Sequence, residues 1–329
     1  MNRYAIEQKF KSVAAFLIIL ILLPYIITVF VNGADAGDVD SGDLYVKVKV
    51  PDTEEADGLA EIRWTDYLAG ILADEISDEC EAETMKAQAV LIRTQIYSKL
   101  ENSEDKILTE SWLSRDEMEE KWGAENYREY HEKYIRAVEE TDDTVIMYNG
   151  AYAWTPFHQS SNGKTRSAAE VLGSEEYPYI AVRECPLDKE ADDEIGTFSY
   201  SYTEIQKLCR DFLVAEEDGE KAAQGYGFKD FEIKSCDSAG YVKELRIGNT
   251  VCTGDQFRDA LSLPSSAFSL TEDGEDRIKI TTTGKGHGMG MSIWTADRMA
   301  EEGKTYEEII AFFFEGTELR NDIQETELL

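Results

Sequence analysis

The segment that most constrains the fold of this chain is Asp66–Tyr97, DYLAGILADEISDECEAETMKAQAVLIRTQIY. Its apolar residues recur at helical spacing on either side of a polar stretch, which predicts two helices joined by a short link. Leu68, Ile71 and Leu72 precede one carboxylate by seven, four and three residues. That carboxylate, Glu75, therefore shares the apolar face of the first predicted helix.

Two interpretations of Glu75 stay open from this pattern. In the first, apolar neighbours bury the carboxylate, and desolvation raises its pKa toward the neutral range that a general acid needs. In the second, Glu75 ends its helix and turns back to water. The pattern nominates Glu75 as a candidate proton donor without deciding between burial and exposure.

The second helix of the segment is predicted to begin after Ser77 or Asp78, both of which are good N-cap residues. Polar side chains fall on two of its sides, each with a seven-residue repeat. Such pairs line either a cleft or a solvated face, and the spacing fits both. The pairs are Lys86 with Arg93 and Gln88 with Gln95.

The charge of the chain argues against one class of partner. Lysine and arginine number 33 against 67 acidic residues, which gives a net charge of −34. Electrostatically driven nucleic-acid binding requires a basic face, so no nucleic-acid partner is expected. Adhesion to anionic lipid is disfavoured for the same reason. The apolar fraction of 42% is ordinary for a folded protein and suffices for a sizeable core.

An uncharged run near the N-terminus predicts a membrane anchor. Residues 12–34 carry no charge, and at about 1.5 Å per residue they reach about 34 Å, enough for the ~30 Å core of a bilayer. Basic residues precede the run and acidic residues follow it, which places the N-terminus in the cytoplasm. A cleaved signal peptide is the alternative, since Ala34-Asp35-Ala36 resembles a cleavage site.

The prediction for the whole chain is a single-pass protein of the cell membrane with its catalytic domain outside the cytoplasm. Its parts are a cytoplasmic tail at 1–11, a transmembrane anchor at 12–34, a linker at 35–43 and an extracytoplasmic domain at 44–329.

Strands are predicted in three regions of the extracytoplasmic domain. Leu44–Val50 alternates strictly between apolar and other residues. Thr144–Phe157 predicts a hairpin, because Asn149-Gly150 separates two apolar runs. The stretch 197–283 is β-rich. Together with the helix pair, these regions predict an α+β fold in which helices and antiparallel strands surround a central cleft, preceded by one N-terminal transmembrane helix.

Two of the three histidines lie in loops of small residues. His158 follows the predicted hairpin in FHQSSNGKTRSA, and His287 lies in GKGHGMGMSIW. Small residues let a backbone approach a ligand closely, and exposed N–H groups in such loops bind oxygen atoms. The glycine-rich run lacks the GxxxxGK[ST] pattern of a phosphate-binding loop. The histidines are candidates for a ligand-binding cleft, with satisfied structural histidines as the alternative.

A metal site is the other chemistry that two histidines suggest. A third ligand is not visible near either histidine, and no CxxC occurs among the five cysteines. We therefore predict no metal and no other cofactor.

Four blocks in order resemble the stage II sporulation protein D family, which includes the related domain of amidase-enhancer proteins. The first block is DYLAGILADEIS followed by ETMKAQAVLIRTQIY, and the second is FHQSSNGKTRSAAEVLGSEEYPYIAVRECPLD. The third is GYVKELRIGNTVCTGDQFRDALSLPSSAFSL, and the fourth is GKGHGMGMSIWTADRMAEEGKTYEEIIAFFFEGTEL. Four ordered blocks are more specific than any single motif.

The resemblance implies a membrane-anchored peptidoglycan lytic transglycosylase that acts in sporulation, during engulfment of the forespore. The implied substrate is peptidoglycan glycan strands that lack stem peptides. The implied partners are an amidase of the stage II sporulation protein P type and a membrane protein of the M type. Some clostridial relatives bind zinc through cysteines near the histidine loop, and FHQSSNGKTR contains none.

The resemblance also implies residue roles. The family's acidic catalytic position falls on Glu75, within DEIS where the common pattern has EMP, and Glu83 is the second candidate. A lytic transglycosylase uses the C6 hydroxyl of muramic acid as nucleophile, so one residue can donate a proton to the glycosidic oxygen and then accept one from that hydroxyl. Predicted substrate-binding residues are Gln88, Arg93, His158, Ser160, Ser161, Lys164, Thr165, His287, Met289 and Ser292.

A non-catalytic role is the alternative. Amidase enhancers with this domain bind a partner hydrolase and activate it. The net charge of −34 and the departures from the family pattern suit a binding module that has lost catalysis. A glycan-binding module without either effect is a third possibility.

Overall fold

The computed structural model describes residues 44–50, 58–191, 194–213 and 225–321. Contacts divide the chain into two units, Met1–Tyr45 and Val46–Leu329, and the second holds the sheets and helices of the fold. The predicted tail, transmembrane anchor and linker at 1–43 lie outside the described residues. Within the described ranges, no helix is both long and apolar enough to cross a bilayer.

The predicted helix pair is confirmed. Helix α1 spans Trp64–Glu75 and helix α2 spans Ala82–Glu101. Helix α2 begins later than the sequence predicts, because Glu81 is its N-cap and the preceding residues form a turn. The backbone N–H of Glu81 donates to the Asp297 carboxylate at 2.8 Å, a contact from a distant segment that fixes this start.

Two further helices cover the first pair. Helix α3 spans Arg115–Trp122 and helix α4 spans Ala124–Glu139. Gly123 separates them with a φ of 78°, a left-handed conformation that glycine adopts without penalty. Tyr134 of α4 is fully buried, and its hydroxyl donates to the carbonyl of Ile76, just after α1. These contacts hold the end of α1 in place.

Two small sheets accompany the helices. Val46 and Val48 are the buried positions of β1, as the alternation predicts. The hairpin prediction is also confirmed, since β4 and β5 pair antiparallel around Asn149 and Gly150, which both have positive φ. The strands are β1 Tyr45–Lys49, β2 Leu59–Arg63 and β3 Ile107–Leu108 in one sheet, and β4 Val145–Tyr148, β5 Ala151–Tyr152 and β14 Glu318–Arg320 in the other.

The β-rich portion contains two antiparallel sheets around a shared core. Phe257, Leu245 and Ile280 are among the side chains buried in that core. Its strands and helices are β7 Ile195–Ser201, α6 Tyr202–Leu208, β8 Phe231–Cys236, β9 Val242–Ile247, β10 Thr250–Cys252, α7 Gly254–Leu261, β11 Phe268–Glu272 and β12 Arg277–Thr283. The sheet orders are β10-β9-β8 and β11-β12-β7.

The remaining elements join the helical and β-rich portions. A second core packs Val90 and Leu91 of α2 against Ile309 and Phe313 near the C-terminus. The elements are β6 Phe157–His158, α5 Ala168–Leu172, β13 Met291–Ser292, α8 Ile293–Glu301, α9 Tyr306–Phe313 and 3-10 turns at Pro186–Glu190 and Phe228–Asp230. The prediction of an α+β fold with antiparallel sheets is therefore confirmed, while the central cleft stays a prediction.

Candidate active site

Glu75 is the last residue of α1. Leu68, Ile71 and Leu72 on the same face are buried, whereas Glu75 itself is exposed where the chain leaves the helix. Its position at a helix end agrees with the second interpretation of the sequence. The carboxylate is nevertheless held by protein, because Nε2 of Gln88 donates to Oε2 of Glu75 at 3.2 Å.

The surroundings of Glu75 favour its protonated form. Although the residue is exposed, its carboxylate is partly desolvated by neighbouring protein, and this desolvation, followed by the charge of Asp74, raises the pKa of Glu75 to about 7. The hydrogen bond from Gln88 and the charge of Lys99 oppose this rise without cancelling it. A raised carboxyl pKa is the chemical property that the first interpretation requires of a general acid.

Glu83, the second candidate, has both carboxylate oxygens engaged. Oε1 lies 2.8 Å from the ammonium of Lys86, and Oε2 accepts from the backbone N–H of Tyr306 at 2.8 Å. Tyr306 is the first residue of α9, so Glu83 binds the N-terminus of that helix, where negative charge is stabilised. An ion-paired carboxylate at a helix start is a poor proton donor, and the geometry therefore favours Glu75.

Gln88 lies on the face of α2 over which the histidine loop begins. Thr155 donates from its hydroxyl to the carbonyl of Leu91 at 3.0 Å, and Nε2 of Gln95 donates to the carbonyl of Thr155 at 2.7 Å. Gln88, Leu91 and Gln95 share one helical stripe. His158 follows Thr155 by three residues, a distance of about 10 Å in extended chain.

The two imidazoles bond to the backbone of the same residue, Met289. Nδ1 of His158 lies 3.0 Å from the carbonyl oxygen of Met289, and the N–H of Met289 donates to Nδ1 of His287 at 3.0 Å. A carbonyl only accepts and an amide N–H only donates, so His158 carries its proton on Nδ1 and His287 on Nε2. The ring centroids lie 5.9 Å apart. The structure thus joins the two histidine loops that the sequence predicts.

Both histidines are neutral. Burial, followed by the neighbouring His287, lowers the pKa of His158 to about 3. Burial, followed by the charges of Arg258 and Arg166, lowers the pKa of His287 to about 4. His158 Nε2 is buried and has no hydrogen-bond partner among the described residues, so it presents a lone pair that only accepts.

Few side-chain atoms at this site are free to act as metal ligands. His287 Nδ1 is occupied by Met289, and the ring also hydrogen-bonds the backbone of Phe157. Of these two histidines, only His158 has an imidazole lone pair that no described residue engages. In the part of the chain that the structure describes, no group of three or more His, Cys, Asp or Glu side chains is arranged to hold a metal ion.

Two glycines permit the close approach of the loops. A Cβ at Gly286 would lie 2.6 Å from the Cβ of His158, and a Cβ at Gly290 would lie 1.8 Å from the carbonyl oxygen of Pro156. Both glycines also have positive φ, at 114° and 72°. The glycine-rich run is therefore required because another backbone, that of the histidine loop, lies against it.

The predicted serine contacts face the interior. Ser160 Oγ donates to Glu194 at 2.7 Å, Ser161 N–H donates to Asp188 at 2.6 Å, and Ser292 Oγ donates to Asp188 at 2.8 Å. All three serines are buried, with Met289, around the histidines. These bonds anchor the loops to buried carboxylates on the interior side. Direct contact of the serines with substrate stays a prediction.

The other predicted contacts lie in different surroundings. Arg93 is buried and donates to the carbonyls of Val138 and Thr144, which ties α2 to the end of α4; this placement gives its predicted substrate contact no support. Thr165 is buried and donates to the carbonyl of Ala181. Lys164 is half-buried and pairs with Glu184 at 2.7 Å.

Comparison with known proteins finds similarity to one family. The family model described as Stage II sporulation protein matches residues 52–148. The stage II sporulation protein D of Bacillus subtilis (strain 168) is 28% identical over 265 residues, covering 77% of this chain and 73% of that protein. An uncharacterised protein of Brachyspira hyodysenteriae is 28% identical over 268 residues, covering 79% of this chain and 67% of that protein.

The chain is similar to the stage II sporulation protein D family. The amidase enhancer of Bacillus subtilis (strain 168) is also similar, at 25% identity over 301 residues, or 77% of this chain and 40% of that protein. The range that matches the family model, 52–148, includes both candidate acids, Glu75 and Glu83. It also includes Gln88 and Arg93.

Three site residues of this chain escape sequence analysis. Asp188 and Glu194 are buried, yet they come from the highly charged stretch PLDKEADDEIG, which predicts a solvated loop. Burial, followed by the charge of Asp188, raises the pKa of Glu194 to about 7 despite the hydrogen bond from Ser160. Arg166 is the third, and the sequence shows no periodicity that marks it as buried.

Proposed function

We propose that this chain is a member of the stage II sporulation protein D family and a peptidoglycan lytic transglycosylase, in which Glu75 is the single general acid and base. The observation that carries the proposal is a carboxyl group with a pKa of about 7, bonded to the buried Gln88 and located beside the helix face from which the histidine loop starts. Ordinary glycosidases need two carboxylates, whereas an intramolecular nucleophile requires only one.

The proposed reaction has two proton transfers. Protonated Glu75 gives its proton to the glycosidic oxygen, and the bond from that oxygen to the muramic C1 breaks. The resulting carboxylate accepts the proton of the C6 hydroxyl as its oxygen bonds to C1. The products are a free hydroxyl on the leaving sugar and a 1,6-anhydro ring, with Glu75 protonated again. A carboxyl pKa near the working pH suits both transfers.

The loops contribute shape rather than charge. His158 is neutral and its Nε2 is buried, so its proposed part is to shape the loop that meets the sugar. Gln88 orients Glu75 through its amide. The proposed substrate is glycan stripped of stem peptides, and the proposed setting is the outer side of the cell membrane, with the P-type amidase and the M-type membrane protein as partners.

The product distinguishes this reaction from hydrolysis. The full chain, incubated with glycan strands from which an amidase has removed the peptides, is expected to release fragments that end in 1,6-anhydromuramic acid. Mass spectrometry separates these ends from reducing ends by the mass of one water. Exclusive formation of reducing ends, or no cleavage at all, would contradict the transglycosylase proposal.

A second candidate function is activation of a partner amidase. The similarity to the amidase enhancer of Bacillus subtilis, at 25% identity, favours it. It predicts that the full chain stimulates a peptidoglycan amidase severalfold, and that Glu75→Gln stimulates equally well. Stimulation without anhydro ends would select this function over catalysis.

A further inference from the structure

Arg166 is a buried arginine whose bonds converge from separate segments. Only 3% of its side chain is exposed. Its Nε donates to Asp237 at 2.7 Å, and its Nη1 donates to Asp255 at 3.0 Å. The same Nη1 donates to the carbonyl oxygen of His287 at 3.2 Å. One guanidinium therefore links the β-rich portion to the glycine-rich loop.

The backbone of Arg166 holds the same loop at the next residue. Its N–H donates to the carbonyl of Gly288 at 2.7 Å. The guanidinium lies 4.8 Å from the centre of the Tyr241 ring, an arrangement that favours a cation. A Cβ at Gly288 would lie 2.7 Å from the Tyr241 ring and 2.9 Å from Cδ of Arg166. The peptide between His287 and Met289 is thus clamped between two side chains.

The clamp depends on charge balance. A buried guanidinium is costly unless carboxylates compensate it, and Asp237 and Asp255 do so through charge-assisted bonds. Asp237 follows β8 and Asp255 lies in the first turn of α7, so both belong to the β-rich portion. The β-rich portion therefore determines where Arg166 lies.

We propose that Arg166 is a positioning residue that fixes the His287 imidazole, and through Met289 the His158 imidazole, on the β-rich portion. The carbonyl that Arg166 binds belongs to His287 itself, and the carbonyl that its backbone binds belongs to the residue before Met289. Met289 in turn sets both tautomers. The link to catalysis rests on the proposed function, whereas the positioning of the rings does not.

Nitrogen-15 NMR of the full chain with labelled histidine measures the positioning directly. The chain has three histidines, and long-range couplings report which ring nitrogen carries the proton. The wild-type chain is expected to show His158 protonated on Nδ1 and His287 on Nε2. Arg166→Lys keeps the positive charge but loses the set of guanidinium bonds to Asp237, Asp255 and the His287 carbonyl. The couplings of His287 are then expected to show a mixture of its two tautomers, whereas those of His131 should stay unchanged.

Arg246→Lys is the matched control. Arg246 also lies in the β-rich portion and binds Glu232 and the carbonyl of Gly248, with no bond to either histidine loop. In the Arg246→Lys chain, the His158 and His287 signals are expected to match those of the wild type. If Arg166→Lys folds and leaves both ring signals unmoved, the positioning role is wrong, whatever the activity of the chain toward glycan.

A milder variant covers the case in which Arg166→Lys does not fold. Asp255→Asn keeps an oxygen acceptor for the guanidinium on a partly exposed side chain and removes one charge. It is expected to shift the His287 signal in the same direction by a smaller amount. An unshifted His287 signal in folded Asp255→Asn would overturn the proposal. Loss of anhydro product in both variants with shifted signals would extend the positioning role to catalysis.

Discussion

Gln88 donates to the carboxylate of Glu75 at 3.2 Å, from a residue that is fully buried to one that ends a helix at the surface. The side chain at the surface is therefore held by one in the interior. This pairing gives Glu75 a fixed orientation while its pKa stays near 7. Both properties are needed of a group that donates and then accepts a proton.

The pH dependence of turnover follows from the protonation state of Glu75. Proton donation requires the neutral acid, so kcat/KM is expected to be level in mild acid and to fall tenfold per pH unit above about pH 7. His158 and His287, with pKa values of about 3 and 4, add no inflection between pH 5 and 8. Glu194→Gln is the control, since it removes the other carboxyl with a pKa of about 7. The fall of kcat/KM above pH 7, its alkaline limb, should persist in this variant. If the alkaline limb disappears, the titrating group is Glu194 and not Glu75.

Replacing Gln88 tests the hydrogen bond to Glu75. The bond from Gln88 favours the ionised carboxylate, so Gln88→Leu is expected to raise the pKa of Glu75 further. The alkaline limb of kcat/KM should move up by about 0.5 to 1 pH unit. Gln95→Leu, which loses a bond to Thr155 instead, should leave the limb in place. A downward shift in Gln88→Leu would contradict the bonding described here.

The buried Glu194 makes stability depend on pH. Its pKa is raised from 4.5 to about 7, so the folded chain binds the proton more tightly than the unfolded chain. The stabilisation from protonated Glu194 is complete below about pH 4.5 and is lost as pH rises toward 7. Glu194→Gln cannot ionise, and urea unfolding should find it more stable than wild type by up to about 3 kcal/mol at pH 8. At pH 5 the two chains should differ little; equal stability at both pH values would refute the argument.

A pair of glycine variants separates crowding from backbone strain. Gly290 and Gly303 have similar positive φ values, 72° and 85°, but only Gly290 lies against another backbone. Gly303→Ala is expected to destabilise by about 1 kcal/mol, from the left-handed conformation alone. Gly290→Ala adds the overlap with Pro156 and is expected to lose about 3 kcal/mol or more. Thermal or urea unfolding measures both, and equal losses would mean that the loops are not in close contact.

Much of the fold follows from local patterns in the sequence. The helix pair, the strand with Val46 and Val48 inward and the hairpin at Asn149 and Gly150 all rest on periodicity or turn chemistry within short windows. The start of α2 does not, because the contact of Glu81 with Asp297 joins segments more than two hundred residues apart. Local propensity yields to such a tertiary contact.

The candidate site is less accessible to sequence reasoning. The sequence pattern identifies Glu75, His158 and His287. It cannot show that Met289 bonds to both rings or that Arg166 binds the carbonyl of His287. Arg93 illustrates the opposite case, in which a polar helix position turns inward to bind carbonyls at the end of α4. Whether a polar side chain meets solvent, substrate or protein depends on what packs over it.

The most direct test of the account compares Glu75→Gln with Glu79→Gln in the full chain. Glu79 is exposed on the link after α1 and has no resolved bond from its carboxylate to the site. With denuded glycan as substrate and anhydromuramic ends counted by mass spectrometry, Glu75→Gln is expected to lose about 10²- to 10⁴-fold in rate. Glu79→Gln should match the wild type. Wild-type amounts of anhydro product from Glu75→Gln would contradict the assignment of Glu75 as the acid.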